Sequence, residues 1–264
     1  MKTSVYAWRR STAAAPSASH CATSQYLAAL YTEIYLDRLF NARAQGRSSA
    51  APLLAYWIAT GSSDVLTVVR FLQRFLSDRA WAIKTLKAVL DGKTGLVAPD
   101  GSDVCAGRFP FLRELGSAGV CLPDLGTQAS PVSRLHISMT TSFNASSTPQ
   151  AAACMCARFK SSPGELGLKA ANAGDYSGVI SIGDTSAFKK LVEEDSGTIA
   201  LEEDAIAGSF FEHINRPDSG LHVLIGAKKF MEGWNSWCVA SMGFLNIGRQ
   251  EGSQIIQCSV ENLA

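Results

Sequence analysis

The chain has 264 residues, of which 47% are hydrophobic, so it is long enough to bury a substantial core in one large domain or two small ones. Its 24 Lys and Arg residues are balanced by 23 Asp and Glu residues. This balance argues against the strongly basic surface of an autonomous nucleic-acid-binding domain. Any site for a polyanion is therefore expected to be local.

The apolar runs and the cysteines of the sequence predict the cellular compartment of the protein. The longest apolar runs, such as Leu53 to Ala59, are far shorter than the roughly 20 residues that a membrane-spanning helix needs. The seven cysteines are odd in number and scattered, a pattern typical of free thiols rather than of a disulfide framework. The sequence therefore predicts a cytoplasmic protein with no membrane partner.

The N-terminal residues precede the first acidic residue, Glu33, and are rich in Ala and Ser with a few basic side chains. Such a composition is like that of an organelle transit peptide. It also fits an unstructured leader, which the lack of hydrophobic periodicity favours. Residues 1–24 are predicted to be a disordered leader.

Apolar residues recur at helical spacing in three segments of the first half: 26–39, 65–75 and 81–90. The second segment follows several possible N-cap side chains in residues 60–64 and predicts a helix over about residues 64–77. The third predicts a helix closed at Gly92, since glycine readily adopts the left-handed conformation. Residues 25–116 are therefore predicted to be a mainly helical spacer.

The second half begins with residues 117–163, where Ser, Thr, Ala, Gly and Pro follow no period; a poorly ordered linker is predicted. Further on, Gly178–Asp184 predicts a strand that turns into a helix, and Leu221–Gly226 predicts a buried strand. Residues 206–214 predict another helix and 241–247 a third strand. Alternating strands and helices predict parallel βαβ units, with chemistry just after Asp184 and Ala227.

From Leu221 the chain reads LHVLIGAKKFMEGWNSWCVASMGFLNIGRQEGSQIIQ, which closely resembles the second motor domain of superfamily 2 DEAD/DEAH-type helicases related to type III restriction subunits. The resemblance extends back through residues 164–191 and, more loosely, into the first half of the chain. It implies an α/β, RecA-like second motor domain, with an incomplete parallel sheet flanked by helices. That truncated domain is expected at residues 164–264, after the helical spacer.

The resemblance also implies roles for individual side chains. KKFMEGWN, residues 228–235, is similar to the fifth helicase motif, which couples the nucleotide cleft to the nucleic-acid track. It implies nucleic-acid binding by Lys228 and Lys229. It implies nucleotide binding by Glu232, Gly233, Asn235 and Gln257. Glycine lets backbone approach a ligand, the asparagine can hydrogen-bond a ribose hydroxyl, and lysine can neutralise a phosphate.

Two departures from the family pattern bear on activity. Many relatives carry Asp at the Asn235 position. Gln257 matches the start of the sixth motif, but Cys258–Ala264 supplies neither of the arginines that stabilise charge on the transferring phosphate.

Without the resemblance, residues 228–237 would be interpreted differently. Phe230, Trp234 and Trp237 would be core side chains, and the two lysines would be part of a solvated loop.

Motifs of a first motor domain are absent from the sequence. No Gly-x-x-x-x-Gly-Lys-Ser/Thr loop cradles phosphates, and no Asp-Glu pair follows a Walker B strand. ATP and Mg²⁺ are thus expected in the intact parent, with neither bound tightly by this chain alone. No complete catalytic set is predicted, and the chain is expected not to hydrolyse ATP alone.

The predicted function is a fragment of an ATP-dependent DNA helicase or translocase, as in type III restriction enzymes. DNA is the expected partner, with a methyltransferase subunit or the missing first motor domain as further candidates. One alternative is a non-catalytic module that binds nucleic acid or a partner through residues 228–235. Another is an unrelated nucleotide-binding α/β enzyme. Sequence alone leaves open whether the parent cuts, unwinds or only translocates.

Several weaker signals favour ordinary structural readings. Cys154 and Cys156, one residue apart, lack the usual spacing of zinc ligands. His213 and His222 lie within a predicted helix and strand, where packing is commoner than catalysis. Asp184 at a helix start is interpreted as a cap. The acidic runs at residues 193–195 and 202–204 are interpreted as solvated loops.

Overall fold

A computed structural model describes part of the chain. The described residues are 4–8, 28, 54–59, 61–95, 100–103, 106, 130–141, 154–159, 162–171, 173–195, 199–204, 209–210, 214, 216, 219–226 and 239–245.

Eight strands and four helices with full bounds lie in these ranges. The strands are β1 (Ser4–Trp8), β2 (Leu54–Ala59), β3 (Cys154–Phe159), β4 (Glu165–Ala170), β5 (Gly178–Ser181), β6 (Ala200–Asp204), β7 (Val223–Gly226) and β8 (Val239–Leu245). The helices are α1 (Ser62–Ser77), α2 (Arg79–Leu90), α3 (Pro131–Thr141) and α4 (Thr185–Glu194).

The described strands form one eight-stranded sheet in the order β1-β8-β2-β7-β5-β4-β3-β6. Neighbours pair in parallel everywhere except around β4, which is antiparallel to both β3 and β5. All of these strands except β4 therefore point in the same direction. The protein has the predicted α/β class, with a mixed sheet where a parallel one was predicted.

Helix α1 confirms the helix predicted at about residues 64–77. Its buried side chains, which form one wide apolar face, are Val65, Leu66, Val68, Val69, Phe71, Leu72, Phe75 and Leu76. The predicted capping differs, because the N-cap is Gly61 and no side chain caps the helix. Instead, the Gly61 carbonyl accepts hydrogen bonds from the Asp64 and Val65 amides at 3.0 and 3.1 Å.

Helix α2 confirms the third predicted helix and its glycine stop. Asp78 caps the start by accepting a hydrogen bond from the Trp81 amide at 3.0 Å. At the other end Gly92 has a φ of 63°, and the Lys93 amide donates to the Ala88 carbonyl at 2.9 Å. This is the left-handed glycine termination that the sequence predicts.

One apolar core lies where α1 and its neighbouring helices meet the sheet. Helix α1 contacts α2, α4 and the strands β2, β3 and β7, while α2 contacts α3. The largest fully buried side chains of the described residues are Phe75 and Phe188, from α1 and α4. Hydrophobic burial of this kind is the main force that holds the helices to the sheet.

The central strands β5 and β7 are buried along their whole length. Ile180 and Ile225 belong to the core beside α1. Successive side chains of a strand point to opposite faces, so the fully buried Val179 and Leu224, which pair in register, lie on the other face. Both faces of the sheet are therefore covered at its centre.

A bidentate ion pair joins the two helices that flank this centre. The Arg70 guanidinium of α1 donates to both carboxylate oxygens of Asp195, at 2.9 and 2.6 Å, and Asp195 is the C-cap of α4. The Asp195 side chain is 15% exposed and the Arg70 side chain 51% exposed. The fork geometry engages two donors at once, so the pair links α1 to the C-terminal end of α4 beside the core contacts that pack the two helices together.

His136 of α3 packs against α1 and predicts how stability depends on pH. Its Nε2 lies 3.1 Å from the Phe75 carbonyl oxygen, and its buried Nδ1 has no hydrogen-bond partner. Burial lowers the pKa of His136 below its usual value, with a smaller lowering effect from Arg79, while the hydrogen bond to the Phe75 carbonyl opposes them. The folded state therefore favours the neutral ring.

Because the pKa of His136 is lower in the folded than in the unfolded chain, the unfolded chain takes up its proton first as the pH falls. Stability from the neutral ring is complete above a pH of about 6.5 and is lost as the pH falls from there towards the folded pKa. Urea unfolding at pH 7.5 and pH 5 is expected to show a smaller acid loss in His136→Leu than in the unmodified chain. Equal losses of stability in the two proteins would contradict a lowered pKa of His136 in the folded chain.

Some predictions about order differ from the structure. Helix α3 and strand β3 lie within residues predicted to be a poorly ordered linker, β1 lies within the predicted leader, and β6 contains residues 202–204, which were interpreted as a loop. Strand β2, from the predicted spacer, lies between β7 and β8 in the sheet. The division into domains stays a prediction.

The physical reason is that pairing with neighbouring strands, more than the intrinsic β propensity of the residues, decides where a short strand forms. Strand β3 reads CMCARF and β6 reads ALEED, so neither is rich in β-branched residues. They pair with each other in parallel, which single-sequence periodicity cannot reveal. Of the helix predicted at residues 26–39, only Ala28 is described, and it is helical. Of the helix predicted at residues 206–214, Ser209, Phe210 and Ile214 are described, and none of the three is helical.

Candidate functional site

Three neighbouring parallel strands end together at one edge of the sheet. Gly226, the last residue of β7, pairs with Ser181 at the end of β5 and with Ile58 near the end of β2. Strands of the same direction place their carboxyl ends on the same side. This carboxyl edge, the ends of β2, β7 and β5, is the part of an open α/β sheet where ligands bind.

Two helices begin at the carboxyl edge. Helix α1 starts after Gly61, just beyond β2, and α4 starts after Asp184, just beyond β5. The Asp184 carboxylate accepts a hydrogen bond from the Ser186 amide at 2.8 Å, which confirms its interpretation as a cap. That backbone hydrogen bond, helped by the Ser186 hydroxyl and by Lys190, holds the pKa of the exposed Asp184 carboxyl below its usual value.

The edge thus combines two partial positive charges. The first amides of a helix have no partner within the helix, and its N-terminus carries roughly half a positive charge. At α4 the carboxylate of Asp184 satisfies part of this need. At α1 the N-cap is a glycine, which has no side chain to accept from the first turn, but Asp64 places a carboxylate in that turn. Each of the two N-termini therefore has an acidic side chain beside it.

A close glycine contact fixes the turn that leads from β5 into α4. Gly183 has a φ of 75° and Gly164 a φ of 94°. A Cβ on Gly164 would lie 2.7 Å from the Gly183 carbonyl oxygen and 2.9 Å from its Cα. The Ile182 amide also donates to the Gly164 carbonyl at 3.1 Å. The turn before β4 therefore supports the turn after β5 backbone to backbone.

The six site residues predicted from the helicase resemblance lie outside the described residues. They are Lys228, Lys229, Glu232, Gly233, Asn235 and Gln257. The structure describes the chain on each side of residues 227–238: β7 ends at Gly226, β8 begins at Val239, and β2 lies between these strands. Residues 227–238 join two strands that are not neighbours.

A second polar cluster was not predicted from sequence. The Tyr176 hydroxyl donates to the Asp204 carboxylate at 2.7 Å, and the Lys169 ammonium lies 5.2 Å from the centre of the tyrosine ring. Burial, then the hydrogen bond and charge of Asp204, raise the pKa of Tyr176 above its usual value. Because Tyr176 and Asp204 are 28 residues apart, no local sequence motif predicts the contact. The hydrogen bond joins the segment just before β5 to the end of β6.

The described part of the chain holds neither a metal-ligand cluster nor a membrane-spanning helix. No group of three or more His, Cys, Asp or Glu side chains there has the arrangement of a metal site. Burial raises the pKa of the Cys156 thiol to about 12, so the thiolate that metals bind is disfavoured. None of the helices among these residues has the length and apolar character needed to cross a membrane.

Comparison of the chain with models of protein families, with curated proteins and with solved structures finds no match.

Proposed function

We propose that the chain is an incomplete second motor domain of an ATP-dependent DNA helicase or translocase, of the kind found in type III restriction subunits. The carboxyl edge carries this proposal. The segment that resembles the fifth helicase motif follows β7 directly, at the point where β7 is flanked in register by the ends of β2 and β5. An α/β sheet of the RecA type would bind nucleotide and couple it to DNA at such an edge.

The proposed roles follow from the chemistry of the side chains. Lys228 and Lys229 follow Gly226 by two and three residues and would neutralise phosphates of the DNA backbone. Gly233 would let backbone approach the nucleotide, and Asn235 would hydrogen-bond a ribose hydroxyl. Glu232 and Gln257 would complete the nucleotide side. These contacts orient ligands and need no bond to be made or broken by this chain.

ATP hydrolysis is proposed to need more than this chain supplies. Phosphoryl transfer in such motors needs a phosphate-binding loop, Mg²⁺ ligands and arginines that neutralise charge on the transferring phosphate. The sequence contains no Gly-x-x-x-x-Gly-Lys-Ser/Thr loop, and Cys258–Ala264 contains no arginine. A first motor domain would supply the loop and the Mg²⁺ site. The chain by itself is proposed to contact DNA without turning over ATP.

Binding of purified chain to labelled duplex DNA over a salt series tests the proposal. Replacing Lys228 and Lys229 by alanine is expected to weaken binding at low salt and to reduce the slope of log K against log salt by about 2, since each phosphate contact contributes about 0.9. The matched control is Lys84→Ala/Lys93→Ala, which removes the same charge from exposed lysines of α2 and its C-terminal turn.

Control and test variants should separate clearly. The control is expected to bind DNA like the unmodified chain, with an unchanged slope. Equal weakening by the test and control variants would mean that binding depends only on the net charge of the chain. That result would contradict a DNA-binding track at residues 228–235. Failure of a well-folded chain to bind DNA at low salt would overturn the proposal. Binding to a protein partner instead would favour the non-catalytic module.

A further inference from the structure

Helix α3 is attached to the fold along one strip of its surface. Leu135, His136 and Met139 are its buried side chains among those that the structure describes. Met139 follows Leu135 by four residues and His136 by three, so the three side chains share one face of the helix. Leu135 and Met139 belong to the same apolar core as α1. This strip docks α3 onto the layer of helices.

The docked helix packs against other helices. Its most extensive contacts with another described element are those with α2, and the His136 ring lies 5.3 Å from the Phe75 ring of α1, centre to centre. Helix α1, in contrast, packs directly on β2, β3 and β7. Proteins open in cooperative units smaller than the whole fold. Separation of α3 would therefore leave the contacts between α1 and the sheet in place.

His136 places a titratable ring within the docking strip. The residue is only 4% exposed, and its Nε2 lies 3.1 Å from the Phe75 carbonyl oxygen. Because a carbonyl can only accept, Nε2 carries the hydrogen of the neutral ring. The other nitrogen, Nδ1, is buried and has no hydrogen-bond partner. A second proton on the ring would therefore go to a nitrogen that faces no acceptor.

The docked position suits the neutral ring and not the charged one. A buried N–H without an acceptor and a buried positive charge both cost free energy. Among the charged groups of α1, α2 and α3 that the structure describes, Arg79 of α2 acts on the ring, and its charge is also positive. From α1 the ring receives only the carbonyl of Phe75. After separation, water would solvate both N–H groups of the protonated ring.

We propose that α3 is a pH-sensitive element, which stays docked while His136 is neutral and separates from α1 and α2 when His136 is protonated, with the sheet still folded. The separated helix takes up the proton at the ordinary pKa of histidine, about 6.5, and the docked helix only at a lower pH. The equilibrium constant for separation therefore rises as the pH falls below about 6.5. Between pH 7.5 and pH 5 the rise is at most about 30-fold. The proposal does not depend on residues 228–235.

Amide exchange of the full chain in dilute urea at pH 7.5 and pH 5 tests the proposal. Protection factors, which correct for the pH dependence of exchange itself, give the equilibrium constant for separation. Amides of residues 135–141 are expected to be less protected than those of β5 and β7 at both pH values. Their protection should depend little on urea, because separation of one helix exposes less surface than global unfolding. It should fall by about 10- to 30-fold at pH 5.

Substitution of His136 identifies the titrating group. His136→Gln keeps a side-chain N–H for the Phe75 carbonyl and cannot be protonated in this range, and His136→Leu cannot be protonated either. In both variants the protection of residues 135–141 is expected to change by less than about twofold between the two pH values. The matched control is Lys84→Gln, an exposed position on α2, which should keep the acid response of the unmodified chain.

Three outcomes would overturn the proposal. The first is an unmodified chain in which residues 135–141 have the same protection at both pH values. The second is an acid response of the same size in the His136 variants, since another group would then be responsible. The third is protection of residues 135–141 that equals that of β5 and β7 in size and in urea dependence, because α3 would then separate only when the whole chain unfolds.

Discussion

Replacing Phe75 by alanine is expected to lower the free energy of unfolding by about 3–5 kcal/mol, the usual cost of removing a buried aromatic ring. The side chain is fully buried in α1. Its ring lies 5.8 Å from that of Phe71 and 5.3 Å from that of His136, centre to centre. The substitution would therefore leave a cavity where α1 meets α3. Such a loss is a large part of the roughly 5–15 kcal/mol that stabilises a domain.

Urea unfolding of the unmodified chain and of Phe75→Ala measures this loss, with Lys84→Ala as a control. Lys84 is exposed on α2, so its truncation is expected to change stability by no more than about 0.5 kcal/mol. The m-value should stay the same in all three proteins if unfolding remains two-state. A loss below about 1 kcal/mol in Phe75→Ala, with that m-value unchanged, would contradict the packing of α1 against α3.

Gly164→Ala is the second substitution with a large expected effect. Its φ of 94° disfavours any side chain, and the new Cβ would come within 2.7 Å of the Gly183 carbonyl oxygen. Both neighbours are backbone, so relief requires the β5–α4 turn to move. The strained dihedral alone costs of order 1–3 kcal/mol. We expect the total loss of stability to reach at least that range.

The matched control for this substitution is Gly174→Ala. Gly174 is exposed, and a Cβ there would meet no atom within 4 Å. Thermal unfolding is expected to place the control near the unmodified chain and Gly164→Ala several degrees lower, since 1 kcal/mol corresponds to about 2–4 °C in larger domains. Amide exchange should rise most at residues 182–186. Equal melting temperatures for the two variants would contradict the backbone contact.

The positions of the helices were the part of the fold that sequence predicted best. Helices α1, α2 and α4 each have apolar residues at helical spacing, and two of them have clear terminal signals in Gly92 and Asp184. Such signals are local, so a single sequence contains them. The buried strands β5 and β7 were predicted for the same reason, as short apolar runs bounded by turn residues.

Helix α3 shows a signal that was present but overlooked. Pro131 is its first residue, and the Ser130 hydroxyl accepts a hydrogen bond from the Ser133 amide at 3.2 Å. A serine followed by proline is a regular helix start, because proline fits the first helical position. The surrounding Ser- and Thr-rich composition hid it. Recognising the cap would have corrected the predicted linker at this point.

Sheet order could not be predicted, because it depends on contacts between distant residues. Strand β2 pairs with β7, although Ala55 and Val223 are far apart in the sequence. The same pairing brings a region predicted to be a spacer into the sheet. The antiparallel insertion of β4 is equally non-local. For the candidate site, periodicity predicted the strand that ends at Gly226, whereas its flanking partners became visible only in the structure.

The affinity of the chain for duplex DNA, measured with and without saturating ATP and Mg²⁺, tests the central claim most directly. If the chain is the proposed second motor domain, it is expected to bind DNA with a salt-dependent affinity that ATP leaves unchanged, because a first motor domain would supply the remaining phosphate ligands. A folded chain that fails to bind DNA at low salt would contradict the claim. So would an ATP-dependent shift in affinity, which would require a complete nucleotide site in this chain.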